Sequence, residues 1–123
     1  MELYRPISAE EYREVEALQF HRFPPRSAEQ PLFAALLSEE GASQIARRMR
    51  IAKQSDNTAY VVSFLVDDAY IRQFPVQHAT DQDRRALWIP AEEMEILNQH
   101  LIGNIRVLAA YEIDRSDGDV FFA

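Results

Sequence analysis

The residues with the richest chemistry for their number lie in one stretch, FHRFPPRSAEQP, from Phe20 to Pro31. Its three prolines deny it regular structure, because each removes a backbone donor and pushes its predecessor toward extended conformations. It nevertheless carries Phe20, His21, Arg22, Phe23 and Arg26. That composition supports two readings. In one, the aromatics pin a surface loop to the core and the arginines are solvated. In the other, the loop faces a ligand, as binding groups held by a rigid scaffold commonly do.

The remaining charged groups have simpler accounts. Arg47, Arg48, Arg50 and Lys53 crowd the C-terminal end of a helical pattern, where the macrodipole favours cations, so a solvated helix end is expected there rather than an anion site. Asp67 and Asp68 end an apolar run, but no further oxygen ligands follow at the spacing of a calcium loop, and a turn or cap is the better reading. Glu92, Glu93 and Glu95 open a helical pattern, where negative charge suits the dipole. His21, His78 and His100 are never spaced as a metal pair on one element. The three glycines, at 41, 103 and 118, form no phosphate-cradling loop, and no serine sits in a nucleophile elbow. The absence of cysteine excludes disulfides, thiolate zinc sites and cysteine nucleophiles.

The elements that must position these groups are legible from periodicity and punctuation. Leu3 to Pro6 reads as a short strand ended or edged by Pro6. Ser8 with Glu11 forms a capping-box pattern, and Ile7 with Tyr12 a hydrophobic staple, which together predict a helix from about Ala9 to Gln19. Leu32 to Leu37 reads as a second strand, and Ser38 as the cap of a second helix whose buried face is Ala42, Ile45, Ala46, Met49 and Ala52. Ala59 to Val66 is almost continuously apolar, as in an interior strand covered on both faces. Ala69 to Phe74 predicts one helical turn, and 78–85 a polar loop.

The clearest stretch runs from Leu87 to Ile113. Leu87 to Ile89 suits a strand, Pro90 the first position of a helix, and Met94, Leu97 and Leu101 its buried stripe. Gly103 and Asn104 read as the helix stop. Ile105, Val107, Ala109, Tyr111 and Ile113 then alternate as one face of a strand. The expected fold is a single α+β domain over 1–123, a small mixed or antiparallel sheet with two or three packed helices, and residues 114–123 as a mobile tail.

The totals narrow the partners. An apolar fraction of 47% and a charged fraction of 27% are those of an ordinary globular protein. A formal net charge of −7 disfavours nucleic acid, whose phosphates require a concentrated cationic surface. The first residues have neither the basic region nor the apolar run of a secretory signal, and no run reaches the roughly 18 apolar residues of a membrane helix, so a cytoplasmic protein with no membrane partner is the expectation.

The series LYRP, a helix, FPPR followed by a Ser-capped Ala-rich helix, and finally LWIPAEE leading into a leucine-bearing helix resembles a small bacterial family labelled "ADP-ribosylation/crystallin J1". The glycohydrolases from which that label is borrowed are much longer and all-helical. The layout is instead similar to a minimal ADP-ribosyltransferase fold, and the likeness spans nearly the whole chain by pattern and order. It implies NAD or a related nucleotide as cofactor. It also implies that Arg5 of LYRP contacts a phosphate or ribose hydroxyl, that Phe33 or Trp88 stacks on a ring near Ser38, and that His21, Arg22 and Arg26 lie over the ligand. One position departs from the pattern. Where the resemblance places a catalytic glutamate the chain has Ala86, preceded by Arg84 and Arg85, while Glu92 and Glu93 lie beyond the strand. A carboxylate there would stabilise an oxocarbenium-like transition state, and losing one such group costs roughly 3–4 kcal/mol in other enzymes. The implied function is thus nucleotide binding with catalysis weakened or lost. The alternative is a non-enzymatic interaction module, such as an immunity, antitoxin or regulatory partner, whose acidity suits a basic target.

Overall fold

The computed structural model describes residues 1–26, 31–48, 58–78 and 85–112. Six strands form one sheet: β1 (Glu2–Ser8), β2 (Leu32–Leu36), β3 (Thr58–Val66), β4 (Val76–His78), β5 (Arg85–Pro90) and β6 (Leu101–Glu112). Their order is β4-β5-β2-β1-β3-β6, and every pairing is antiparallel. Four helices accompany them: α1 (Ala9–Ala17), α2 (Glu39–Ala46), α3 (Asp68–Ile71) and α4 (Met94–Gln99). The α+β class is as expected, the sheet takes the antiparallel of the two expected forms, and the described residues hold four helices where two or three were expected.

Alternation along the strands divides the core in two. On one face Leu3, Ile7, Phe33, Val62, Phe64, Leu87, Ile89 and Ile105 meet Val15 of α1, Ile71 of α3, and Met94 and Leu97 of α4. On the other, Leu36, Ala59, Val61 and Ala86 meet Ala42 and Ala46 of α2, with Tyr4, Trp88 and Tyr111 packed around them. On the first face Phe23 fits edge-on against Phe33 and Phe64, at centroid distances of 5.0 and 4.9 Å.

Local signals acted as read at two caps. Ser8 Oγ accepts from Glu11 N at 3.1 Å, and Ser38 Oγ from Gly41 N at 3.0 Å. Four expectations need correction. Pro6 does not end β1, which continues to Ser8 along β3; its missing N–H is tolerated because the pairing with β2 is brief, registered at Tyr4 and Leu36. Pro90 closes β5 and precedes a 3₁₀ turn over Ala91–Glu93, so α4 starts only at Met94. Gly103 does not stop that helix, which has already ended at Gln99. It lies inside β6 at φ +73°, where β6 spends surplus residues between Ile102 and Arg106 opposite Ser63 and Leu65. A second irregularity places Val107 opposite Val62 but Ala109 opposite Val61, so the alternation from Ile105 to Tyr111 switches faces midway. The three-residue strand β4 was not anticipated at all. Met49 and Ala52 of the α2 pattern, Arg50 and Lys53, Ile113 and the tail lie outside the described residues.

Candidate functional site

The pairing of β1 with β2 brings Arg5 beneath the start of α1. Burial leaves the Arg5 residue only 7% exposed, so its guanidinium must be satisfied internally. Glu11 does most of this: Arg5 Nε donates to Glu11 Oε2 at 2.9 Å and Nη2 to Oε1 at 3.0 Å. Arg5 Nη1 donates to the Ala34 carbonyl at 3.0 Å, and the guanidinium carbon lies 4.2 Å from the Phe33 ring centroid. The capping box is therefore half-used. Ser8 caps the helix, but the Glu11 carboxylate serves Arg5.

Arg26 arrives at the same place from the loop. Its Nη2 donates to the Leu32 carbonyl at 3.1 Å, and its guanidinium carbon is 5.9 Å from the Phe33 centroid. Nη1 stands 3.7 Å from Glu11 Oε1, an ion pair without a hydrogen bond, whereas Arg5 donates to both carboxylate oxygens. Arg26 Nε is buried with no partner among the described residues. Burial, and then the neighbouring charge of Arg5, push the Arg26 guanidinium below its usual range.

The 20–26 segment is fixed by backbone and side-chain contacts together. Gln19 and Phe20 both adopt positive φ, which turns the chain sharply out of α1. The Phe20 carbonyl then accepts from Ile105 N at 2.8 Å. Asn98 of α4 grips Phe23 from both sides, its Oδ1 accepting from Phe23 N and its Nδ2 donating to Phe23 O, each at 2.9 Å. This amide imitates a strand neighbour and sets the distance between the loop and α4.

Between them lies a cleft of about 470 Å³. Leu18, Phe23, Pro25 and Met94 supply its apolar wall, Arg22 and Arg26 its cations, and Glu92 and Glu95 the opposing carboxylates. The volume and the mixture of apolar lining with a few charged groups are those of a small-molecule site. Beside the glutamates of that lining, Tyr70 donates to Glu93 Oε1 at 2.8 Å and stacks on His100 at 4.3 Å. A smaller hollow of about 220 Å³, lined by Glu10, Glu11 and Glu14, adjoins the other side of Arg26.

The structure thus gathers Arg5, Arg26 and Phe33 into one cluster and sets Arg22 on the cleft that Arg26 lines. The other candidates fall elsewhere. His21 points to β6, its Nδ1 3.0 Å from Asn104 Oδ1. Ser38 is occupied as a helix cap. Trp88 lies on the α2 face, across the sheet from Arg5 and Phe33, and so does Ala86, which is 0% exposed. A glutamate at that position would be sealed beneath α2. Sequence reasoning missed Glu11, which looks like a capping residue alone, and Asn98, whose one available signal is a weak helix former placed mid-helix. No group of acidic or histidine side chains able to hold a metal ion occurs among the described residues. No protein-family model, curated protein or solved structure matches the chain.

Proposed function

We propose that this chain is an ADP-ribosyltransferase-like domain that binds NAD or a related nucleotide in the cleft between the 20–26 segment and α4, without the glutamate-assisted chemistry of a transferase. The observation that carries this reading is the cleft itself: apolar surface large enough for a ring, with Arg22 and Arg26 beside it for a diphosphate. Glu92 and Glu95 opposite them suit a ligand that bears positive charge as well, as oxidised nicotinamide does. The roles assigned to Arg5 and Phe33 change on this reading. They brace Arg26 from below rather than touch the ligand.

Calorimetric titration of ADP-ribose and NAD tests the reading. We expect saturable binding that weakens by about tenfold in Arg22→Ala, the loss of one charge-assisted contact. Absence of heat at millimolar ligand, or an unaltered affinity in the variant, would sink it. The interaction-module reading has one observation in its favour. The outermost strand β6 exposes Ile102, Val107 and Leu108 at 54%, 41% and 38%. A defined stoichiometric protein partner, with nucleotides silent, would favour that alternative.

A further inference from the structure

The Arg5–Glu11–Arg26 cluster shares its hydrogen bonds unevenly. Two guanidinium groups face one Phe33 ring, and the hydrogen bonds of the Glu11 carboxylate between them go to Arg5. Among the described residues Arg26 has one hydrogen bond, to Leu32 O, an ion pair at 3.7 Å, and an Nε with no partner. An arginine offers five N–H donors in a fixed fork, so most of this one's capacity is unspent among the described residues. Its side chain is only 12% exposed, which removes most of the water that would otherwise compensate.

We infer that Arg26 is a seat for an oxyanion, a phosphoryl or pyrophosphoryl group, which enters through the cleft and takes Arg22 as its second cation. The direction of entry follows from charge. On the side of the smaller hollow Arg26 is bordered by Glu10, Glu11 and Glu14, which repel an anion. On the cleft side a second cation, the exposed Arg22, joins Arg26 against Glu92 and Glu95, so the cleft repels an anion less than the hollow does. Burial and then the Arg5 charge lower the proton affinity of Arg26 against the opposing pull of Glu11 and Glu14, and a bound anion would add to that pull. The existing Glu11 contact, longer than a hydrogen bond, is weak enough to be exchanged for a bidentate one. The inference rests on the nucleotide reading only for the source of the anion.

The test follows the arginine side-chain Nε–H resonances of labelled protein during three titrations: inorganic pyrophosphate, ADP-ribose and adenosine. Pyrophosphate and ADP-ribose are expected to move the Arg26 resonance, and adenosine to leave it unmoved. Arg22→Ala, an exposed change that leaves the core intact, should weaken pyrophosphate by about tenfold. Arg26→Lys should retain part of the affinity, because charge survives without the fork. If pyrophosphate moves Arg26 and ADP-ribose does not, the anion seat stands and the nucleotide reading falls. If ADP-ribose binds with Arg26 unmoved, the nucleotide reading stands and the seat falls. Millimolar pyrophosphate without any shift at Arg26 overturns the seat outright.

Discussion

Glu11 is the carboxylate that both Arg5 and Arg26 meet. Its carboxylate, 14% exposed, binds Arg5 bidentately and stands 3.7 Å from Arg26. Removing one member of such a buried pair strands the others, which costs about 3–5 kcal/mol in comparable sites. Glu11→Ala is accordingly expected to lower the unfolding free energy by about 3 kcal/mol in urea titrations, and a loss under about 1 kcal/mol would contradict the shared-carboxylate account. Tyr70 gives a pH signature at the same scale. Burial first, then the hydrogen bond to Glu93 and its charge, raise the Tyr70 hydroxyl well above its ordinary value of 10.0. Above pH 10 the unfolded chain gives up this proton while the folded chain keeps it. The sign is therefore a stability present in full below pH 10 and lost as pH rises, by up to about 1.4 kcal/mol per unit. Tyr70→Phe should flatten that alkaline decline. Tyr4, also raised, remains in both proteins, so the difference isolates Tyr70. Identical alkaline slopes would refute it.

The elements show which sequence signals are local enough to read. A cap is decided within four residues, so Ser8 and Ser38 were legible. Gly103 was legible as a residue needing positive φ but not as a strand residue. That role is set by β3 across the sheet and by the Phe20 carbonyl that Ile105 must reach. The same holds for Pro90, suited equally to a helix start and a strand end, and for the edge strand Val76–His78, too short to show alternation. The candidate site was half legible. The loop announced its arginines, yet what orders it is Asn98, 75 residues away from Phe23. Asn98→Ala removes two hydrogen bonds of 2.9 Å and leaves the Phe23 N–H unpaired, a loss of about 2 kcal/mol. It should also weaken cleft ligands without touching Arg22 or Arg26. Stability within about 0.5 kcal/mol of the parent would show that the loop is held by Phe23 packing alone.

For the whole molecule, the decisive fact is that the sheet has two covered faces. A resemblance read along one dimension places Arg5, Phe33, Ala86 and Trp88 in one site. The alternation of β5 puts the last two against α2, across the sheet from the first two. No pattern in the sequence reveals that parity, because Leu87 to Ile89 is apolar on both sides. The ligand's place is consequently a question about faces, and amide shifts answer it directly. In a titration of labelled protein with ADP-ribose, the account predicts perturbations confined to 18–26 and 91–98, with the Trp88 indole and the α2 amides unmoved. Perturbations gathered on Trp88 and α2, or none at millimolar ligand, would contradict it.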